Sequence, residues 1–229
     1  MALILAIDTS TKVCSIALHQ DGVEIGHQAY HLQKSHSSLL PIIVKQLMEN
    51  VEMQMNQIEA VAISAGPGSY TGLRIGTSTA KGLCYGLGVP LLSFDSLDSM
   101  YESVKDTVSN TTLICPMIDA RRMEVYCNLR STDGNRIWES KPLILDETTF
   151  SEFSETNLLL IGDGAAKCTE LFSNQENIKI QPGIYPNTFS VGRLMQEKFS
   201  KAQFEDLAYF EPDYLKEYQT KPPKNKFQF

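Results

Sequence analysis

The 229-residue chain lacks a long apolar run, a paired set of cysteines and an excess of positive charge. Its apolar run at residues 2–7 is too short for a signal segment, has no basic leader and stops at Asp8. Nothing else approaches a membrane span, so the expectation is a cytoplasmic protein with no membrane contact. The five cysteines, Cys14, Cys84, Cys115, Cys127 and Cys168, include no Cys-x-x-Cys pair and no partnered histidine spacing, and read as reduced core thiols. All four histidines lie between positions 19 and 36, and no Gly-x-Ser-x-Gly elbow occurs. Spacing therefore supports no Ser-His-Asp or Cys-His nucleophile. A net charge of -7 disfavours strong unaided binding to nucleic acid, because phosphate neutralisation by Lys and Arg supplies most of that affinity. Any service to RNA is expected to run through a partner. A chain this long buries on the order of 70% of its unfolded surface, so neither disulfide nor metal is needed to hold it.

What the sequence does contain is one plan written twice. Residues 3–7 form an apolar strand ending at Asp8, 13–18 a second strand, Asp21-Gly22 a turn and 23–31 a third strand. Residues 113–118 likewise end at Asp119, 124–129 follow, and Asp133-Gly134 leads into 137–145. Asp-Gly between apolar runs is a strong hairpin signal. Each half then turns helical, at 37–50 and 148–153, and returns to a strand, at 61–63 and 158–161. Those strands end in Gly66-Pro67-Gly68 and Gly162-Asp163-Gly164. The duplication predicts an α/β fold of two similar domains, each a mixed sheet flanked by helices. The expected bounds are 1–106 and 107–215, with a helix starting near Asp95 and another over 190–202. Residues 216–229 read as a loose tail made basic by Lys216, Lys221, Lys224 and Lys226, either merely solvated or used for docking.

The segment from Ser64 to Gly76 reads as strand, tight loop and helix start, where unpaired N–H groups attract anions. Yet it fits neither phosphate-loop pattern. Counted from Gly66, the next glycine of a Walker loop is one residue late and Leu73 follows it where lysine belongs; Thr71 stands where a dinucleotide fingerprint needs its third glycine. In the helix that follows, Gly72, Gly76, Ala80 and Cys84 recur every four positions and form one smooth stripe. Interior glycine costs about 1 kcal/mol relative to alanine, so something approaches that backbone closely. Two readings stand: packing on the chain's own sheet, or contact with a helix of another protein.

Three stretches together resemble the TsaB (YeaZ) family: Ile4-Leu5-Ala6-Ile7-Asp8-Thr9-Ser10, the Gly66–Gly76 segment with Lys81-Gly82, and Ile118-Asp119-Ala120-Arg121-Arg122 with Glu124-Val125-Tyr126. The match runs through about residues 1–165, and Tyr214-Leu215-Lys216 is similar to the family's Tyr-Leu-Arg near its end. The resemblance implies the actin-like ATPase (ASKHA, ribonuclease H-like) fold shared by sugar kinases and chaperone ATPases. It also implies a non-catalytic paralogue that supports TsaD, with the ATPase TsaE, in placing threonylcarbamoyl on adenosine 37 of tRNAs that read ANN codons. Such a protein contacts tRNA only through the complex and forms a homodimer when alone.

A working member of that superfamily uses two Asp-ended hairpins as phosphate clamps, with backbone N–H groups facing the nucleotide. Asp8, Thr9 and Ser10 keep the chemistry of the first clamp and, with Ser69, Tyr70 and Thr71, are the candidate nucleotide contacts. At the second, Arg121 and Arg122 replace the glycine-rich turn and block close approach, their expected use being an ion pair, with anion contact as the alternative. A TsaD-type subunit carries His-x-x-x-His on its first helix; here the second position after His36 is Leu40, so no metal is expected. His27 and His31 share a strand face without a carboxylate or thiolate between them. No residue is assigned as catalytic and no cofactor as the chain's own; ATP or ADP at the partner interface is left open.

The apolar residues Leu39, Leu40, Ile42, Ile43, Val44, Leu47 and Met48 wrap more than one helix face. The expected partner interface therefore joins Leu39, Leu40, Ile43 and Leu47 to Gly72, Gly76 and Ala80, with Arg74, Ser78 and Lys81 at its rim. The competing class is an ATP-binding small-molecule kinase or ATPase of the same superfamily; a stand-alone tRNA-binding module is disfavoured by charge.

Overall fold

Both Asp-Gly dipeptides turn hairpins, by different geometries. Asp21 and Gly22 both take left-handed φ, +51° and +79°, the tight two-residue turn that matches strand twist. At the second site only Gly134 is left-handed, φ +95°, and Ser131 closes a wider loop by accepting from Gly134 and donating to Asn135.

The structure, a computed structural model, describes residues 2–31 and 36–216. Strands β1 (Leu3–Asp8), β2 (Val13–Gln20) and β3 (Val23–His31) lead into helix α1 (His36–Asn50). Strand β4 (Ala60–Gly66), helix α2 (Tyr70–Leu87), strand β5 (Leu91–Asp95) and helix α3 (Ser96–Glu102) follow. The second half repeats the strands as β6 (Thr112–Asp119), β7 (Glu124–Ser131), β8 (Arg136–Ile144) and β9 (Asn157–Ile161), then α4 (Cys168–Leu171), β10 (Ile178–Gln181) and α5 (Gly192–Ser200). The first sheet runs β3-β2-β1-β4-β5 and the second, read from its matching edge, β8-β7-β6-β9-β10. In each the central strand pairs antiparallel with its hairpin mate and parallel with the strand after the helix. The duplicated α/β expectation holds, and β5 and β10 are the strands it left out. Residues 148–153 yield only the short 3-10 turn Ser151–Phe153, because Phe150 and Phe153 turn inward onto Trp138.

Strand β1 is buried on both sides, and its residues sort by parity. Leu3, Leu5 and Ile7 join α1 and α2 in one core, while Ala2, Ile4 and Ala6 face Val191 and Met195 of the last helical segment. That second contact corrects the domain bounds. The chain crosses back before Asn187, and α5 packs on β1, β3 and β5 of the first sheet. His19 fixes the crossing, its Nε2 2.8 Å from the Thr188 carbonyl, and Thr188 also bonds Ser15. The expected second domain, 107–215, therefore gives its last part to the first. Lys216 lies within the described residues; the rest of the expected tail, 217–229, lies outside them.

Helix α3 joins the two halves. Its Leu97, Met100 and Tyr101 bury against Ile114, Ile118 and Ile161 of the second sheet. Beside this apolar seam, Asp98 accepts from Arg130 (2.6 Å) and Arg136 (2.8 Å), and Asp95 caps α3 through Leu97 N while accepting from Ser140 Oγ at 2.6 Å. Burial, and then the Asp98 charge, push the Asp95 carboxyl up to about 6. The folded state thus holds this proton more tightly than the unfolded chain. Stability is fully present below the ordinary carboxylate range and falls as pH rises through about 6. At about 1.4 kcal/mol per pKa unit the loss is on the order of 3 kcal/mol. Asp95→Asn keeps a capping oxygen and removes the titration. Its melting temperature is expected several degrees above that of the unmodified chain at neutral pH, with the gap closing by pH 4; equal melting temperatures at both pH values would refute this.

Candidate functional site

Each of the two Asp-ended hairpins is stoppered by the glycine loop of its own half. At the first, Asp8 Oδ1 accepts from Ser10 N (2.9 Å) and Ser10 Oγ (2.8 Å). The loop after β4 lies directly on this turn. Ser69 N donates to Ser10 O at 2.5 Å, Thr9 Oγ1 donates to Gly72 O at 2.8 Å, and a Cβ on Gly68 would sit 2.8 Å from Ser10 Cβ. Asp8, Thr9 and Ser10 are consequently buried. Burial pushes the Asp8 carboxyl above its ordinary range, with the Ser10 N–H and hydroxyl pulling the other way. These three residues, expected as nucleotide contacts, lie buried beneath the chain's own loop. Ser69 and Thr71 stay exposed and Tyr70 half-buried.

The second half does the same with different residues. Gly162, at φ +107°, has no room for a side chain beside the Met117 carbonyl, and a Cβ on Gly164 would lie 3.0 Å from Ile118 C. Asp163 Oδ1 accepts from Asp119 N at 3.0 Å, and burial raises its carboxyl too. Asp119 Oδ1 accepts from Arg121 N at 2.5 Å and from Lys167 Nζ at 2.7 Å. Arg121 and Arg122 adopt φ +72° and +51°, so the turn keeps the left-handed backbone that glycine favours while carrying arginine. Neither guanidinium forms an ion pair among the described residues, which corrects their expected use; Lys167 pairs with Asp119 instead.

The buried thiols offer little nucleophilic chemistry. Burial pushes the Cys14 and Cys168 thiols up to about 12 and Cys84 to about 11, far from a nucleophilic thiolate. Among the described residues, no three His, Cys, Asp or Glu side chains gather as a metal site. His36 Nε2 lies 2.9 Å from Thr11 O, and His27 Nδ1 bonds Glu24 at 2.6 Å.

The small-residue stripe of α2 faces inward. A Cβ on Gly72 would collide with the Thr9 carbonyl, and one on Gly76 with Thr9 Oγ1 and, at 3.0 Å, with Ile63 Cδ1. Ala80 and Cys84 are equally enclosed. Gly72, Gly76 and Ala80 are thus corrected from partner contacts to packing residues, and the reading of self-packing holds. Leu40, Ile43 and Leu47 are corrected in the same way, since all three sit in the first core, and Leu39 packs partly on it. Lys81 Nζ spends its hydrogen bonds on Ala208 O and Phe210 O, both at 3.0 Å. Arg74 stays exposed, its guanidinium 4.0 Å over the Tyr70 ring.

A different stripe points outward. Arg74, Ser78, Gly82 and Gly86 also recur every four positions and are all exposed, and a Cβ on Gly82 or Gly86 would meet nothing within 4 Å. Tyr85 beside them is 86% exposed, and Ile42 on α1 is 53% exposed. The sequence carried a signal for this face, since glycines at 82 and 86 repeat the spacing of 72 and 76, and only burial tells the two stripes apart.

Two five-stranded mixed sheets of one plan, each with a central strand ending in aspartate, define a protein of the actin-like ATPase fold. Solved structures agree. YeaZ from Pseudomonas aeruginosa superposes with a TM-score of 0.78 at 21% identity, covering 94% of this chain and 100% of that one. An activator of 2-hydroxyisocaproyl-CoA dehydratase from Clostridium difficile, solved with bound ADPNP, reaches 0.50 at 9% identity, over 88% of this chain and 96% of its own. The family described as TsaD, tRNA N6-adenosine threonylcarbamoyltransferase, matches residues 28–223. Proteins described as tRNA threonylcarbamoyladenosine biosynthesis protein TsaB are also similar. The one from Haemophilus influenzae is 27% identical over 93% of both chains, and that from Escherichia coli 35% identical over 60% of this chain and 59% of its own. The chain belongs to this family, on its TsaB/YeaZ branch.

Proposed function

We propose that this chain is a non-catalytic subunit in the formation of tRNA threonylcarbamoyladenosine, docking a TsaD-type partner through the outward face of α1 and α2, with a TsaE-type ATPase joining that complex. The observation that carries the non-catalytic part is the stoppering of both hairpins, Gly68 against Ser10 and Gly162 against the Met117 carbonyl. A nucleotide needs close approach to those backbones, and the chain's own loops take the place.

The docking part rests on the exposed glycines. Gly82 and Gly86 each cost the helix about 1 kcal/mol relative to alanine and approach nothing in the isolated chain. Exposed Tyr85 and Ile42 add the aromatic and aliphatic surface that interfaces use as anchors. Gly82→Arg separates fold from docking. Because the position is open, the variant is expected to fold with equal or slightly higher stability. Co-purification with a TsaD-type protein is expected to fall about tenfold or more, as one misplaced side chain at a packed helix contact costs more than 1.4 kcal/mol. Wild-type affinity in the folded variant would refute the docking face. The wider reading is tested by assaying tRNA modification in the reconstituted system with and without this chain. Nucleotide turnover by the isolated chain, abolished in Asp8→Ala, would overturn it in favour of a kinase or ATPase.

A further inference from the structure

Residues 205–216 run along the first domain and end at the second. Glu205 N donates to Leu91 O at 2.8 Å, fastening the segment to the edge of β5. Lys81 then holds the carbonyls of Ala208 and Phe210. Asp213 N donates to Ala65 O at 2.7 Å, and the Asp213 carbonyl lies where a side chain on Gly66 would project, 2.8 Å from an ideal Cβ. The Tyr214 ring packs on Tyr70 with centroids 4.6 Å apart, and Arg74 Nε donates to Tyr214 Oη at 3.3 Å. Lys216 closes the path on Glu124 of β7.

Everything this segment grips between Ala65 and Arg74 is the stopper on the first hairpin. Beneath the stopper the polar groups are poorly served. Asp8 Oδ2 is fully buried with only the Ser64 hydroxyl beside it, and Thr77 Oγ1 of α2 is buried without a hydrogen-bond partner. Buried polar atoms without partners favour any state that admits water. The loop is held from below by Ser69 N on Ser10 O, over buried polar atoms that water would serve better, and is gripped from above by residues 213 and 214.

We propose that residues 211–216 are a strap that keeps the 66–70 loop shut over the Asp8 turn, and that releasing the strap lets the loop lift and water reach Asp8 and Thr77. Because α2 begins at Tyr70, within the strapped loop, the state of the strap also sets the first turn of the helix whose outward stripe runs from Arg74 to Gly82 and Gly86. A protein covering that face therefore reads, and biases, the strap.

Hydrogen exchange on the full chain tests this. Tyr214→Ala removes the ring stack and the acceptor for Arg74. Exchange at the amides of Ser69, Gly72 and Leu73 is expected to accelerate about tenfold or more, while β6 and β9 in the second domain keep their protection. Tyr214→Phe, which keeps the stack, is expected to fall between. Lys216→Glu should act in the same direction, and Lys216→Glu combined with Glu124→Lys should restore slow exchange. Were the strap itself to exchange faster in Tyr214→Ala while residues 66–73 stayed at wild-type rates, the segment would cover the loop without holding it, and the proposal would fall. Failure of the charge swap to restore protection would likewise remove Lys216 from the strap.

Discussion

Replacing Gly72 with leucine is expected to abolish cooperative folding of the first domain, whereas the same change at Gly82, ten residues along the same helix, is expected to stabilise it. At Gly72 the new Cβ meets the Thr9 carbonyl, a backbone atom that cannot rotate away. Nor can the turn that carries it retreat: Thr9 Oγ1 is bonded to Gly72 O and Ser10 is tied to both Asp8 and Ser69. Ordinary overpacking costs about 1–3 kcal/mol by shifting side chains. Here the obstacle is main chain, so the cost is expected to exceed about 4 kcal/mol, a large share of the stability of a domain. At Gly82 no atom lies within 4 Å of the added Cβ, and leaving glycine gains up to about 1 kcal/mol of helix propensity. Denaturant midpoints of the two variants measured side by side decide the matter; a Gly72→Leu protein with a wild-type midpoint would show that the loop does not stopper the hairpin.

That contrast marks where the sequence was legible. The apolar runs ending at Asp8 and Asp119, the two Asp-Gly turns and the paired glycine loops placed eight of the ten strands and the duplication, because these signals are local. Spacing of four on α2 showed that its backbone is approached closely, yet the same spacing occurs on two faces, and periodicity has no sign for inside and outside. Gly72 and Gly76 proved to be approached by Thr9 and Ile63, while Gly82 and Gly86 face open space. The apolar run of α1 looked wider than one sheet needs; Leu40, Ile43, Val44, Leu47 and Met48 are all absorbed by β1–β4 and α2, leaving Ile42 outside. Non-local facts were out of reach. The amphipathic pattern at 190–202 announces a helix without saying which sheet it covers, and α5 returns to the first, where Ala2, Ala6, Ala60 and Ala62 present a shallow face for it. The strap at 211–216 has no periodicity at all, being held by the Asp213 N bond to Ala65 O, the Tyr214 contacts with Tyr70 and Arg74, and the Lys216–Glu124 pair.

Removing Asp98 is expected to cost about 3–5 kcal/mol, the usual penalty for leaving a buried charge without its partner. Asp98 stands between Arg130 and Arg136 at the joint of the two domains, and the side chains of Asp98 and Arg130 are only 15% and 9% exposed. With Asp98→Ala, Arg130 keeps the Tyr101 ring, 5.0 Å away, as its remaining favourable neighbour, and its Nε already lacks a hydrogen-bond partner. One relief operates in the variant. Asp95, already ionised at pH 7.5, loses the like charge that helps raise its carboxyl to about 6, so its anion costs less and stands as the remaining counter-charge toward Arg136. The two aspartates are therefore coupled, and their substitutions should not add. Asp95→Asn alone is expected to stabilise at neutral pH, but in the Asp98→Ala background it removes the substitute anion and should destabilise. A double-mutant cycle followed by thermal unfolding at pH 7.5 reads this reversal of sign directly. Equal effects of Asp95→Asn in both backgrounds would mean that the joint is held by the apolar seam of Leu97, Met100 and Tyr101, with the ion cluster only accompanying it.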